Sequence, residues 1–160
     1  MESNEDKLDQ LDCKILAVLQ EDATLSVSAI AEKVGLTTTP CWRRIQKLEN
    51  QGVIRKRVAL LDPAHLNLGV TVFISIKTNQ HKIEWFESFY RLVSAIPEVV
   101  EFYRVTGNTD YLLKVIISSI EGYDRVYKTL IKGAELADVS SMFAMEQIKY
   151  TTALPLNQIK

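Results

Sequence analysis

Apolar residues change their period midway along this chain, and that change divides it into two kinds of structure. Up to about Leu61 they recur at three- and four-residue steps, the spacing of one buried helix face. From Val70 onward, runs that alternate residue by residue are interleaved with helical runs, so strands and helices take turns.

The first part reads as three helices. Leu8, Leu11, Ile15 and Leu19 line the first, and Asp9 is placed to cap it. The second starts at Ser26, with Leu25 and Ile30 at the staple positions, and Ile30, Ala31 and Val34 as its buried stripe. Gly35 ends it. The third opens at Thr37, and Pro40 is tolerated in its first turn because amides there lack an intrahelical partner. Cys41, Ile45 and Leu48 form its inward seam, and Gly52 stops it. Val53 to Leu61 reads as a strand, broken by Asp62-Pro63, with residues 62–69 as a linker.

The second part gives strand, helix, strand, strand, helix, strand. These are Val70 to Lys77, Lys82 to Ala95, Val99 to Thr106, Tyr111 to Ser118, Gly122 to Ile131 and Val139 to Lys149. Ile83, Phe86, Tyr90 and Val93 are expected on the inner face of the first of these helices, and Gly107-Asn108-Thr109-Asp110 as a hairpin turn. The order predicts a ferredoxin-like antiparallel sheet with both helices on one face. The whole is then an α+β chain: a winged helix-turn-helix over 1–61, the linker, and a βαββαβ sandwich over 70–160, with Thr151 to Lys160 as a tail. Both faces of that sheet are apolar. Tyr111, Leu113, Val115 and Ile117 share one face and Leu112 and Ile116 the other, while Val139, Phe143 and Met145 oppose Met142, Ala144 and Ile148. A face without helices is normally polar, so self-association is expected there.

Charge narrows the function. The net charge is only −1, but it is unevenly spread. Met1 to Asp22 sets Lys7 and Lys14 against Glu2, Glu5, Asp6, Asp9, Asp12, Glu21 and Asp22. Arg43 to Arg57 sets Arg43, Arg44, Lys47, Arg55, Lys56 and Arg57 against Glu49 alone. With Cys41, Ile45 and Leu48 inward, a turn of about 100° per residue puts Thr39, Arg43, Gln46, Lys47 and Asn50 outward, with Trp42 and Arg44 at the margins. Such groups read base edges and phosphates in a major groove. Thr37, Thr38 and Thr39 offer hydroxyls and amides to phosphate at the helix start, and Arg55 to Arg57 would form the wing.

Other classes find little support. Cys13 and Cys41 make no CxxC pair and have no neighbouring histidine, and His65 and His81 fall in expected loops, so no metal site or cofactor is indicated. Neither paired acids, an activated nucleophile nor a phosphate loop marks a catalytic site. No apolar run reaches the roughly 20 residues of a membrane span, and the start lacks the order of a signal peptide. A cytoplasmic protein is expected.

Two stretches resemble a known family. Ile30-Ala31-Glu32-Lys33-Val34-Gly35-Leu36, Thr39-Pro40-Cys41, Arg43-Arg44-Ile45 and Leu48-Glu49-Asn50-Gln51-Gly52-Val53-Ile54 resemble the winged helix-turn-helix of the leucine-responsive/AsnC regulators. Val105-Thr106-Gly107-Asn108-Thr109-Asp110-Tyr111-Leu112-Leu113-Lys114 and the late Met145-Glu146 resemble that family's regulatory domain. The resemblance implies a transcription regulator on duplex DNA, built of dimers that assemble further, often to octamers, and responding to a free amino acid. It also implies an effector site between dimers at the loop Gly107 to Asp110. Many members carry two acids in that loop. Here Asn108 stands for the first, leaving Asp110 to meet an ammonium group, with Thr109 between them. Met142, Phe143 and Ala144 are expected to supply apolar contacts, which favours leucine, methionine or a similar ligand. The competing reading is an amino-acid-sensing regulatory subunit that binds an enzyme. Such a subunit has no use for the basic third helix.

Overall fold

Capping chemistry sets the ends of the first three helices. In this computed structural model, which describes residues 8–80 and 82–159, α1 spans Gln10–Glu21. Asp9 accepts the Asp12 amide at 2.8 Å, while Asp12 accepts the Asp9 amide at 3.2 Å, so two orphan N–H groups are satisfied reciprocally. Helix α2 spans Val27–Val34, capped by the Ser26 hydroxyl on the Ala29 amide. It ends where Gly35 takes φ 75°, with the Leu36 amide returning to the Ala31 carbonyl at 2.8 Å and the Gly35 amide to Glu32 at 3.3 Å. That paired closure turns the chain sharply into α3, Thr38–Asn50. Ile15, Leu16, Ile30, Ala31, Val34, Cys41, Ile45 and Leu48 bury together as the core of this unit.

The chain divides into two compact units, 1–60 with 149–160, and 61–148. Residues 149–160, expected at the end of the second half, belong with the first unit. Gln20 exchanges hydrogen bonds of 3.2 and 2.7 Å with the Leu154 backbone, and Leu156 packs on the three-helix core. The strand expected over Val53 to Leu61 does not form. An extended segment needs a ladder partner for its amides, and all four strands among the described residues belong to the other unit's sheet. Residues 55–60 are instead an exposed arm.

In the second unit, Asp62 caps a short 3-10 turn over Pro63–Leu66, which holds His65. His81 lies outside the described residues, as do the expected contributions of Met1 to Lys7 and of Lys160. Strands β1 (Val70–Lys77), β2 (Val99–Arg104), β3 (Tyr111–Ile117) and β4 (Asp138–Phe143) form one antiparallel sheet in the order β2-β3-β1-β4. Helices α4 (Ile83–Ser94) and α5 (Ile120–Gly133) complete the βαββαβ order. Val72, Ile74 and Ile76 of β1 and Leu113, Val115 and Ile117 of β3 meet Phe89 and Val93 of α4 and Val126 and Leu130 of α5 in one core.

Two expectations fail here for physical reasons. Helix α4 is rolled by about one residue, or 100°. It buries Phe89 and, as expected, Val93, with Trp85 and Leu92 half-buried and Ile96 buried just beyond its end, and leaves Ile83, Phe86 and Tyr90 exposed. Apolar residues cover so much of α4 that spacing alone picks no centre. Phe89 decides it by meeting Trp85, Phe102 and Tyr111 at centroid distances of 5.0, 5.7 and 5.3 Å. The last strand was expected to reach Lys149 but stops at Phe143. Among the described residues its one ladder neighbour is β1, and the bond from the Ala144 amide to Thr71 at 2.9 Å falls one residue from the β1 start. Met145 and Ile148 are therefore exposed.

The helix-free face of the sheet keeps its expected apolar character. Phe73, Leu112 and Ile116 are half-buried on it and Met142 is exposed. Polar links run between them: Lys114 to Glu101 at 2.9 Å, the Tyr103 hydroxyl donating to Glu101 at 2.6 Å, and the Ser75 hydroxyl donating to the Ser140 carbonyl at 3.3 Å.

Candidate nucleic-acid interface

Helix α3 is the candidate interface because its two faces are so unlike. Cys41, Ile45 and Leu48 are at most 2% exposed, while Thr38, Thr39, Arg43, Lys47 and Asn50 stand in solvent and Gln46 is half-buried. Burial pushes the Cys41 thiol up from its ordinary pKa, which suits a packing residue and not a nucleophile. The tight turn at Gly35 aims α3 outward, and exposed Arg55 and Lys56 on the arm extend the same basic run. Trp42 is half exposed and lies outside the residues packed in the core.

Arg44 does not join this face. Its guanidinium lies 2.7 Å from the Asp9 carboxylate and 2.7 Å from that of Asp12, which is 3% exposed. It is a clip between α3 and the start of α1, and two acids already neutralise it. The arrangement draws the Asp9 carboxyl below its usual range, chiefly through the Asp12 amide and then through Arg44, and raises Arg44. Arg57 is also engaged, donating to Glu49 at 2.9 Å, and the Gln46 side-chain amide donates to the other oxygen of Glu49 at 2.9 Å. Of the six cations in the basic run, Arg43, Lys47, Arg55 and Lys56 thus carry the charge not offset by these pairs. Sequence reasoning treated Asp12 and Glu49 only as members of charge runs. The three-residue spacings Asp9–Asp12 and Gln46–Glu49 were the available signals.

In the second unit the expected effector residues do not meet. Gly107 takes φ 113° in the hairpin, and the Asp110 backbone exchanges bonds with Ile76 and Val105. The Asp110 carboxylate accepts the Thr78 amide at 2.8 Å, so one oxygen already seals the end of β1. Exposed Asn108 and half-buried Thr109 form the tip. Met142 and Phe143 pair with Phe73 and Val72, and Ala144 bonds Thr71, all at the other end of β1. Five residues separate Phe73 from Thr78, about 17 Å along a strand. Within one chain the loop and Met142 to Ala144 cannot line one pocket. What lies beside the loop is Tyr111, with Phe86 stacked on it at 6.1 Å. Phe86, Glu87, Tyr90 and Arg91 line an open groove of about 280 Å³.

Among the described residues no helix is long and apolar enough to cross a membrane, and no group of three or more His, Cys, Asp or Glu is placed to hold a metal.

Comparison with known proteins gives the same two domains in the same order, with residues 149–154 counted on the ligand-binding side. Residues 8–49 match the AsnC-type helix-turn-helix domain and residues 71–154 the Lrp/AsnC ligand binding domain. The DNA-binding transcriptional activator DecR of Escherichia coli K12 is 51% identical over 150 residues, covering 93% of this chain and 99% of that protein. The crystal structure of an AsnC family transcriptional regulator from Agrobacterium tumefaciens superposes with a TM-score of 0.91 at 62% identity, covering 94% of this chain and 98% of that one. The complex of the regulator NMB0573 from Neisseria meningitidis with L-methionine follows at 0.89 and 38%, with the same coverage. This chain belongs to the Lrp/AsnC family of transcription regulators, with a DNA-binding helix-turn-helix unit followed by a ligand-binding domain.

Proposed function

We propose that this regulator reads duplex DNA with the outward face of α3 and that a free amino acid, held at the hairpin loop between chains, adjusts its assembly or DNA affinity. The observation that carries the first half is the split of α3 into a fully buried seam and an outward face of exposed Thr39, Arg43, Lys47 and Asn50 with half-buried Gln46. Thr38 and Thr39 sit at the helix start to meet phosphate, and Arg55 and Lys56 continue the contact along the backbone, with Arg57 beside them paired to Glu49. Trp42 flanks the reading face. Arg44 supports the helix from behind. Affinity for a duplex selected from a random pool tests this. Alanine at Arg43 or Gln46 should cost about 1–3 kcal/mol where a base is read, and unchanged specific affinity in both variants and in Lys47→Ala overturns it.

The second half rests on the loop and on its neighbours. Asp110 has a second carboxylate oxygen to offer an ammonium group, and Gly107 gives the loop backbone room to approach a carboxylate. The L-methionine bound to the Neisseria relative supports an apolar amino acid such as methionine or leucine. Because the loop and Met142, Phe143 and Ala144 lie at opposite ends of β1, a pocket that uses both needs two chains. The apolar helix-free face supports a dimer, and further assembly, up to an octamer, would bring loops and late strands of different chains together. A coupling of about 1–3 kcal/mol between ligand and DNA would change affinity roughly 5–150-fold. Calorimetry with the standard amino acids tests it, and no heat from any of them retires the sensing model.

A further inference from the structure

At the C-terminal end of α3 a single acid holds two groups of the DNA-facing surface. Glu49 accepts from the Gln46 amide nitrogen through one oxygen and from Arg57 through the other, each at 2.9 Å. A carboxylate only accepts, so the nitrogen end of the Gln46 amide must face it. That fixes the polarity of the amide. The nitrogen carries two hydrogens, one cis and one trans to the carbonyl oxygen. The oxygen and the cis hydrogen together match the amino group and N7 of adenine in the major groove. We propose that Glu49 is a specificity-determining residue: it takes the trans hydrogen of Gln46 and so presents the adenine-reading edge to DNA, while its bond to Arg57 ties that choice to the arm. Freed from Glu49, the amide is at liberty to turn over, and its nitrogen then donates where adenine needs an acceptor, so carbonyl acceptors such as guanine O6 or thymine O4 are met as well. The ion pair with Arg57 also lets an acid sit in a basic surface without repelling phosphate.

This inference rests on the proposed contact of Gln46 with DNA, and the experiment separates the two. The full chain and its Gln46→Ala and Glu49→Met variants are each run against a pool of duplexes carrying every base pair at every site position. In the wild type one position prefers A·T, and Gln46→Ala erases that preference. Glu49→Met lowers it by about fivefold or more, within the range of one bidentate contact, and leaves the ranking elsewhere unchanged. If Glu49→Met raises or lowers affinity equally at all positions, as a plain charge change would, the inference is overturned while the Gln46 contact stands. If Gln46→Ala changes no position, the contact itself is wrong and the inference falls with it.

Discussion

Replacing Arg44 by Met should unfold much of the first unit's margin of stability. The longest part of the side chain is kept, but Asp12, 3% exposed, loses the guanidinium at 2.7 Å and retains the Asp9 amide at 3.2 Å. Removing one partner of a buried pair costs about 3–5 kcal/mol because a charge is left unpaired. Arg44 itself is 29% exposed, so water re-enters from that side and we expect a loss near about 3 kcal/mol, the low end of that range. A small three-helix core supplies only about 3–5 kcal/mol, so the effect is large. Trp42 reports on this unit, and a Trp85→Phe background removes the only other indole. Urea unfolding followed by Trp42 fluorescence gives the number. Adding Asp12→Leu should recover most of the loss, since apolar replacement of both partners is close to neutral. The Asp9 carboxyl is depressed in the fold, so its contribution is present above the ordinary carboxylate range of about 4 and is lost as pH falls below it. Arg44→Met weakens that depression, and the acid-unfolding midpoint should move to higher pH. A loss below about 0.5 kcal/mol, the size of an exposed pair, would refute the reasoning.

Three further outcomes follow from the same structure. Gly35→Ala places a side chain at φ 75° and should cost about 1–2 kcal/mol in the same fluorescence assay, while a neutral result would mean the turn relaxes. Leu112→Glu puts a charge on the helix-free sheet face and should shift the chain to monomer in sedimentation velocity with its circular dichroism intact. An unchanged sedimentation coefficient would place the interface elsewhere. Asp110→Asn keeps an oxygen for the Thr78 amide and should weaken amino-acid binding without loss of stability, whereas Asp110→Ala should also destabilise by about 1 kcal/mol. Equal ligand affinity in wild type and Asp110→Asn would release Asp110 from the site.

Local chemistry was legible wherever neighbours along the chain decide the outcome. Asp9, Ser26 and Gly35 announce helix ends because their partners lie within a few residues. Strands β1 and β3 are legible from their alternation and the hairpin from its turn residues, whereas the end of β4 is not. Wherever the outcome depends on a distant partner, the reading failed. Val53 to Leu61 lies between the Gly52 helix stop and the Asp62-Pro63 break and so resembles a strand, yet among the described residues no neighbouring strand receives its amides. The inner face of α4 is set by Phe102, far along the chain, which meets Phe89, while Tyr111 touches both Phe89 and Phe86. Arg44 looked like part of the reading surface until α1 brought two acids to it. Met142 to Ala144 are expected beside the loop as apolar contacts from the late strand, and only the register on β1 shows the two at opposite ends.

The central claim is that α3 meets DNA with one defined face, and salt dependence tests it directly. Log affinity for a selected duplex is measured against log salt from about 50 to 200 mM, where each phosphate contact contributes about 0.9 to the slope. The account predicts that Lys47→Ala lowers the slope by about 1, and that Arg44→Met, measured in the cold where it remains folded, leaves it unchanged because Asp9 and Asp12 already hold that charge. A slope that falls with Arg44→Met and stays fixed with Lys47→Ala would contradict the assignment and turn the helix around.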